Sequence, residues 1–470
     1  MLIYHIDMNS VAFRAETVRK LVRKAAELGY DAILWEVEDK IRWESCPEVV
    51  HPDALTKAEF RSILAEAAEL GLEAIPLLQT FGHAEYVLSH DEYKSMRELP
   101  DRYDCYCVSK PETRDFLKRL LHEYLELFGS VRYFHLGGDE AYSFGKCPVC
   151  SKRIRMELYA EHLMAVSEEL REKGIRPCCW HDMILDNPDP SSVGLIPRDF
   201  MIFLWRYGTN EANIGQCEKT LNLLLSLGFD VIPCGAVQSW GEDPFVGSFR
   251  RHADNCGTLA HLARKHDLPG FCVTSWSIRG APKGLQVSIM DFAARCYCDA
   301  SQSPLETVRH KIRERYLGVA EIQYIHDLMV YPVGMAFFTS IGWTGGKDSL
   351  PPTKERAERF LDKNDKDIVE MRRKMEKELP GALERFRTAR KELCLIPSRT
   401  PIVSLLLQGA ELKDVFLRCM LDVLEGRPIR RSTVEAARSS TEAFYGKEQR
   451  KVSARRFSEI VWGVLLHLAE

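Results

Sequence analysis

The sequence lacks several features that mark particular classes of protein. No apolar stretch approaches the ~20 residues needed to cross a bilayer, which argues against a membrane protein. The 64 basic and 68 acidic residues leave a net charge of −4 with no long block of either sign. Because nucleic acids are bound chiefly through clustered Lys and Arg, this balance argues against nucleic acid as the main partner. What remains, 470 residues with 45% hydrophobic and 28% charged side chains, predicts a soluble protein with a sizeable core.

The sequence also lacks signs of secretion. Its start, MLIYHIDMNS, has neither the basic region nor the cleavable apolar region of a signal peptide. The fifteen cysteines are odd in number and scattered, which favours reduced thiols in a cytosol over a disulfide framework. We therefore expect a cytoplasmic protein, with a trimmed signal peptide as the alternative, since trimming would leave the same sequence.

Short apolar runs alternate with helical patterns through the first 300 residues. A capping box, Thr56 with Glu59, begins one of these helices. The predicted strands cover 2–8, 31–39, 72–80, 131–140, 175–184, 200–208, 230–240 and 270–278. Eight buried strands, each followed by a crossover, predict a parallel sheet covered by helices. Over residues 1–301 a closed (β/α)8 TIM barrel fits best, and an open doubly wound sheet is the alternative.

The strand pattern stops near residue 302. Long charged helical stretches follow, notably 352–379, after the turn-rich segment 342–352. We expect 302–470 to form an α-helical C-terminal region packed on, or extending from, the barrel. Its alternating charges are typical of a solvated face; a self-association surface, and with it a homo-oligomer, is the alternative.

Two acids, Asp139 and Glu140, stand side by side at the end of the fourth predicted strand. The catalytic residues of such barrels lie at the C-terminal ends of the strands. Adjacent residues leaving a strand point in different directions, so the two carboxyls can act on different atoms of one bound molecule. Gly137 and Gly138 let the backbone turn and leave room for a ligand.

Aromatic and polar residues recur at the same predicted edge. His83 follows strand three, Trp180 and Asp182 follow strand five, and three further tryptophans end strands six to eight: Trp205, Trp240 and Trp276. Indole faces suit the C–H faces of a sugar ring, while acids and His83 suit its hydroxyl or amide groups. Taken singly, a tryptophan at a strand end is more often a packing residue, and His83 and His135 can each equally be a satisfied core histidine. Their recurrence predicts a carbohydrate pocket.

The segment His135-Leu-Gly-Gly-Asp139-Glu140 resembles the H-x-G-G-D-E signature of family 20 glycoside hydrolases, the β-N-acetylhexosaminidases. The resemblance extends over roughly residues 2–300. Residues 34–39 and 75–88 are similar to the hexosaminidase D branch, which lacks the small α/β domain that precedes the barrel in many relatives. This sequence likewise starts at strand one.

The resemblance implies a retaining exo-acting enzyme that releases terminal N-acetylhexosamine from an oligosaccharide or small glycoside, with no cofactor for catalysis. Family 20 uses substrate-assisted catalysis, in which the sugar's own 2-acetamido oxygen attacks C1. By similarity, Asp139 would orient that acetamido group and Glu140 would act as acid and then base. The candidate substrate-binding residues are His83, His135, Trp180, Asp182, Trp205, Tyr207, Trp240, Trp276, Glu36 and Asp39.

The sequence departs from the family pattern at residues that bind the hydroxyl and acetamido groups of the sugar. An Arg common at the end of strand one is replaced by Asp7-Met8-Asn9-Ser10, so the choice between GlcNAc and GalNAc stays open. No strand-seven Tyr is evident, and Tyr207 or Tyr142 are its candidate substitutes. Glu36 and Asp39 are candidates for binding the sugar hydroxyls, and the alternative is that they are solvated loop acids. Two other functions stay open: a glycosidase with a direct nucleophile, Asp182 or an acid near strand two, and a non-catalytic glycan-binding barrel.

Four cysteines raise the question of a metal. Cys147 and Cys150 have zinc-ligand spacing, and Cys105 and Cys107 lie in the preceding loop. A zinc ion held by all four would be structural, because no open position would remain for chemistry. The alternative is four reduced thiols near the rim.

Overall fold

The chain folds as a closed barrel of eight parallel strands. In the computed structural model the described residues are 1–185, 190–208, 211–239, 243–247, 249–276, 282–298, 353–395 and 401–470. The strands are β1 (Leu2–Asp7), β2 (Ala32–Glu36), β3 (Glu73–Leu77), β4 (Tyr133–His135), β5 (Arg176–Trp180), β6 (Met201–Trp205), β7 (Asp230–Gln238) and β8 (Phe271–Ser275). They are hydrogen-bonded in sequence order, and β1 closes the ring by pairing with β8 from Leu2–Phe271 to Tyr4–Val273. The predicted (β/α)8 barrel is confirmed, and the open sheet is excluded.

The strands are apolar on both faces because each face meets a different core. One set of side chains fills the barrel interior, for example Ile3, Leu34 and Phe203. The alternate set, for example Tyr4 and Trp35, packs against the surrounding helices. This two-residue alternation decides which side chains at the strand ends point into the mouth of the barrel.

Helices follow the strands as expected. Those associated with the barrel are α1 (Ala15–Glu27), α2 (Lys57–Glu69), α3 (Glu85–Leu88), α4 (Pro111–Phe128), α5 (Arg155–Glu172), α6 (Asp182–Leu185), α7 (Glu211–Ser226), α8 (Phe249–Lys265) and α9 (Val287–Cys298). The capping box predicted at the start of α2 is present, since the Thr56 side chain accepts from the Glu59 amide and the Glu59 carboxylate accepts from the Thr56 amide.

The described residues after 352 are helical: α10 (Lys354–Arg359), α11 (Lys366–Leu395), α12 (Pro401–Leu424), α13 (Arg431–Tyr445) and α14 (Lys451–Leu468). The predicted boundary at residues 301 and 302 lies outside the described residues and stays a prediction. Among the helices described, none has the combined length and apolar character that crossing a membrane requires.

The C-terminal helices pack on the rim of the barrel. The Arg450 amide donates to the Ala12 carbonyl over 2.7 Å, and the Ala12 amide donates to Ser453 Oγ over 2.8 Å. The half-buried Glu448 carboxylate accepts from the amides of Lys283 and Gly284 after β8. This region therefore fixes the loops that follow β1 and β8, at the end of the barrel where the predicted site lies.

Candidate active site

The segment after β4, residues 136–142, forms what we call the β4 lip. Gly137 and Gly138 adopt left-handed backbone angles, with φ of 67° and 93°. A Cβ atom at Gly137 would lie 2.0 Å from Gln79 Oε1, and one at Gly138 would lie 2.7 Å from the Tyr159 hydroxyl. The Gly137 carbonyl accepts from the Trp180 amide over 3.0 Å, which ties the lip to β5. Both glycines are therefore needed to bring the two acids to the mouth.

The two acids have different surroundings, although they are neighbours in sequence. The Asp139 side chain is 4% exposed, whereas that of Glu140 is 37% exposed. Glu140 itself has a left-handed backbone, with φ of 44°, which is uncommon for a residue with a side chain. The turn that this produces leaves Asp139 inside the mouth and Glu140 at its edge.

His83 faces both acids from the loop after β3. Its Nε2 atom lies 3.4 Å from Asp139 Oδ2 and 3.5 Å from Glu140 Oε2. Burial works against a charged imidazole, but the carboxylates of Asp139 and Glu140 hold the pKa of His83 well above its usual range. The position of His83 between the two acids therefore favours its protonated form.

Asp182 supports the β4 lip from the start of α6. Its Oδ2 atom accepts from the Glu140 amide over 2.9 Å. Burial, together with the negative charge of Asp139, raises the pKa of Asp182 well above its usual value. Asp139 Oδ1 and Asp182 Oδ1 are both buried and have no hydrogen-bond partner within the described ranges. Buried carboxyl oxygens are rarely left without partners, so these two oxygens are candidates for binding a ligand.

Aromatic side chains line the interior beside these acids. Trp180 is fully buried, with its ring centre 5.6 Å from that of Trp276. Trp205 and Tyr207 are stacked, with ring centres 5.7 Å apart. Trp276 Nε1 donates to the Tyr207 hydroxyl over 2.6 Å, which holds that hydroxyl in the mouth. The structure thus brings together the predicted aromatics of strands five, six and eight, whereas Trp240 lies outside the described residues.

The segment from Glu36 to Lys40 forms what we call the β2 lip, and its two candidate acids have partners within the chain. Glu36 is fully buried: its Oε2 lies 3.0 Å from His5 Nε2, and its Oε1 accepts from Gln79 Nε2 over 2.9 Å. Burial opposes ionisation of Glu36, but these two partners lower its pKa. Asp39 forms an ion pair with Lys40.

His135, the first residue of the signature, holds the backbone of the β4 lip. Its Nδ1 atom accepts from the Gly137 amide over 3.0 Å, and its ring lies 4.3 Å from that of Trp180. Burial, with the nearby His5, lowers the pKa of His135 well below its usual range, so the ring is neutral. Its Nε2 atom is buried without a hydrogen-bond partner in the part of the chain described, so His135 is not a fully bonded core histidine, and its role in substrate binding stays a prediction.

The cysteine prediction needs a correction. Cys107, Cys147 and Cys150 come together, but the fourth member of their group is Glu98. Cys105 lies outside the group, and its Sγ donates to the Tyr106 carbonyl over 3.2 Å. The loop between β3 and α4 turns back on itself, with an antiparallel bridge between Arg97 and Tyr106, which carries Glu98 toward the cysteines. Sequence spacing does not reveal such a turn.

Sequence reasoning missed His5 and Gln79. Both are polar residues whose side chains bond Glu36 in the barrel interior. The available signal was their position, since His5 interrupts an otherwise apolar strand and Gln79 follows β3 by two residues. Tyr142, considered as a substitute for the missing tyrosine, lies exposed at the rim, where its amide donates to the Glu140 carbonyl.

The chain is similar to known proteins over its barrel. Residues 12–244 match the model of the glycosyl hydrolase family 20 catalytic domain. Hexosaminidase D from Bos taurus is 29% identical over 220 residues, which are 45% of this chain and 64% of the bovine protein. Hexosaminidase D from Homo sapiens is 26% identical over 258 residues, or 53% of this chain and 51% of the human protein. The chain thus spans between half and two thirds of the length of these relatives.

Solved structures show the same fold. A β-N-acetylhexosaminidase from Bacteroides fragilis has a TM-score of 0.52 at 18% identity, covering 68% of this chain and 70% of that one. A chitobiase from Flavobacterium johnsoniae has a TM-score of 0.53 at 16% identity, covering 97% and 77%. At 16–18% identity these structures show the fold alone. The match over residues 12–244 identifies that part of the chain as a glycosyl hydrolase family 20 catalytic domain.

Proposed function

We propose that the chain is a retaining exo-β-N-acetylhexosaminidase that releases terminal GlcNAc, GalNAc or both by substrate-assisted catalysis. The observation that carries this proposal is the pair of adjacent acids in unlike surroundings at the mouth of the barrel. Asp139 is buried with one oxygen lacking a partner in the described part of the chain, and Glu140 is more than a third exposed. Such a pair can divide two tasks on one substrate.

Asp139 is suited to hold the substrate's acetamido group. Its Oδ1 can accept the acetamido N–H, while Oδ2 faces His83 across 3.4 Å. That hydrogen bond would aim the acetamido carbonyl oxygen at C1 and stabilise the positive charge of the oxazolinium ion as it develops. Burial strengthens this interaction, because charges attract more strongly where water is excluded.

Glu140 is suited to proton transfer. Its side chain is partly exposed at the edge of the mouth, which suits a group that protonates the glycosidic oxygen and then takes a proton from the incoming water. The His83 imidazole lies 3.5 Å from Glu140 Oε2, so in its protonated form it can stabilise the negative charge that Glu140 acquires once it has given up its proton. His83 therefore acts on both acids during one cycle.

Asp182 bears on the alternative of a direct carboxylate nucleophile. Its Oδ2 already accepts from the Glu140 amide, and burial beside Asp139 raises its pKa. A neutral carboxyl group is a poor nucleophile, so these observations favour the acetamido oxygen as the attacking group. Asp182 then serves to position Glu140.

The aromatic residues are suited to the sugar ring. Trp205 stacked on Tyr207, and Trp276 bonded to the Tyr207 hydroxyl, present rigid apolar surfaces with one fixed polar atom. Trp180 closes the interior beneath them, and its Nε1 has no partner among the residues described. We propose that these four side chains surround the acetamido group and the ring.

The test compares nitrophenyl glycosides that differ in the acetamido group. We expect turnover of the N-acetyl-β-glucosaminide, the N-acetyl-β-galactosaminide or both, and no turnover of the β-glucoside. A thiazoline that mimics the oxazolinium ion should inhibit tightly, because only an acetamido-dependent enzyme stabilises that shape. Equal turnover of the glucoside would support a direct nucleophile, and sugar binding without any turnover would support a non-catalytic barrel.

We further propose that the protein resides in the cytoplasm. Most of its fifteen cysteines are buried as free thiols, where they behave as small apolar residues. Alkylation of acid-quenched cells should find these thiols reduced. Recovery of disulfide-linked chains would contradict the proposal.

A further inference from the structure

A compact group of potential metal ligands lies beside the candidate active site. We call Glu98, Cys107, Cys147 and Cys150 the Cys/Glu cluster; all four are buried, and their ligand atoms lie within 4.8 Å of one another. Cys107 Sγ lies 3.7 Å from Cys147 Sγ and 3.7 Å from Cys150 Sγ. Glu98 Oε2 lies 3.5 Å from Cys150 Sγ.

These separations match a tetrahedral site. Zinc–sulfur bonds of about 2.3 Å in a tetrahedron place two sulfurs about 3.8 Å apart, and with a zinc–oxygen bond of about 2.1 Å the sulfur–oxygen separation is about 3.6 Å. The observed values of 3.7 Å and 3.5 Å agree with both. A disulfide does not explain them, because its sulfurs lie about 2.05 Å apart and three thiols cannot all be paired.

Hydrogen bonds hold the side chains of the cluster in place. The Cys150 amide donates to Cys147 Sγ over 3.3 Å, and Ser109 Oγ lies 3.1 Å from Cys150 Sγ. The Cys147 amide donates to Glu98 Oε1 over 3.0 Å and leaves Oε2 facing the sulfurs. Hydrogen bonds of this kind orient metal ligands.

We propose that Glu98, Cys107, Cys147 and Cys150 form a closed structural zinc site that links the loop between β3 and α4 to the loop between β4 and α5. Four protein ligands leave no open position, so the ion serves structure. Thiolates select zinc over magnesium or calcium, which prefer oxygen. The first loop carries His83 and the second carries Asp139 and Glu140, so the ion fixes the segments that face each other in the site. The proposal does not rest on the proposed function, because zinc content is measured without substrate.

The first experiment measures metal in the full chain purified without a polyhistidine tag or chelators. We expect about one equivalent of zinc by mass spectrometry. Replacement by cobalt should give the intense absorption bands of a tetrahedral thiolate site. Less than about a tenth of an equivalent of zinc, or iron in its place, would overturn the proposal.

The second experiment assigns the ligands. Cys147→Ser should lose most of the zinc, and Glu98→Gln should weaken zinc binding at least tenfold in competition with a chromogenic chelator. The matched control is Cys105→Ser, whose hydroxyl can still donate to the Tyr106 carbonyl and which should keep its zinc. Loss of zinc in Cys105→Ser with retention in Glu98→Gln would overturn the ligand set.

A third measurement keeps the proposal testable if a cysteine variant folds poorly. A strong chelator should lower the melting temperature of the wild-type protein and of Cys105→Ser by the same amount, and added zinc should restore it. If the chelator leaves both melting temperatures unchanged, the ion does not link the loops and the structural role is wrong.

Discussion

Glu36 in the β2 lip and Asp139 in the β4 lip are both buried acids at the same end of the barrel, yet they differ in how their carboxyl oxygens are bonded. In the β2 lip both oxygens of Glu36 have partners, His5 and Gln79. In the β4 lip Asp139 keeps one oxygen without a partner in the described ranges. A carboxylate with both oxygens bonded within the chain stabilises the fold, whereas one with a spare oxygen can act on a ligand.

Backbone strain does not separate the two lips. Glu38 in the β2 lip and Glu140 in the β4 lip both have left-handed backbones, with φ of 42° and 44°. Strained residues gather at functional sites, but both lips have them. The bonding of the carboxyl oxygens is therefore the better guide to where chemistry takes place.

The largest effect is expected for Glu140→Gln. The amide cannot donate a proton to the leaving group, so kcat/KM on a poor leaving group such as a disaccharide should fall by about 10²–10⁴-fold. On a dinitrophenyl glycoside, whose leaving group needs no proton, the first step should be far less affected. Equal losses on both substrates would contradict the acid role.

Asp139→Asn tests the second half of the β4 lip. We expect kcat to fall by about 10²–10³-fold, because the amide cannot offset the positive charge of the oxazolinium ion. The free energy of unfolding should also fall at pH values where His83 is protonated, since the amide removes the negative charge that faces His83 Nε2 over 3.4 Å. Turnover close to wild type would rule out the substrate-assisted scheme.

Glu36→Gln is the matched acid-to-amide change at the β2 lip. It should affect stability more than activity. The amide keeps one oxygen, so one of the two partners, His5 or Gln79, loses its buried acceptor, and the free energy of unfolding should fall by about 1–3 kcal/mol. The kcat of the folded enzyme should fall less than tenfold. In the wild type, ionised Glu36 contributes to the free energy of unfolding at pH values above its ordinary pKa of 4.5. This contribution is lost as the pH falls through its lowered pKa. Denaturation curves against pH should show this loss in the wild type alone.

A hundredfold loss of kcat in Glu36→Gln with unchanged stability would contradict the distinction between a structural Glu36 and a catalytic Asp139. It would place Glu36 among the groups that act on the substrate.

The sequence was sufficient to predict the barrel and the location of the two acids. Apolar runs mark buried strands whatever they pair with, and in a parallel barrel every strand ends at the same rim. For that reason Asp139, His83 and Trp180 could be assigned to the mouth from their positions after strands alone.

The bonding within the mouth could not be predicted. The contact of His5 with Glu36 depends on the register between β1 and β2, in which His5 lies opposite Leu34. Glu98 reaches the cysteines only because its loop folds back through the Arg97–Tyr106 bridge. Strand register and loop turns are set by tertiary contacts, and these contacts cannot be predicted from single residues.

His83→Gln tests the charge between the two acids. A raised pKa means that the contribution of His83 to stability is present below its ordinary pKa of 6.5 and is lost as the pH rises through the raised value. Activity should also fall as the pH rises through this raised pKa, because deprotonation removes the positive charge that faces both acids. This fall is the alkaline limb of the pH–activity profile. The variant should lose about tenfold in kcat/KM at neutral pH and should lack that limb. An unchanged pH profile would show that His83 does not set it.

The smallest effect is expected for Asp182→Asn, which also separates the two enzymatic schemes most sharply. The raised pKa of Asp182 favours its neutral form, and an asparagine oxygen can still accept from the Glu140 amide. We therefore expect kcat/KM within about fivefold of wild type at neutral pH, because the change of charge is small and the hydrogen bond is kept. A direct nucleophile would instead lose nearly all turnover as an amide, with no covalent intermediate trapped by a fluorinated sugar. The same substitution thus distinguishes an acid that holds the β4 lip from one that attacks the substrate.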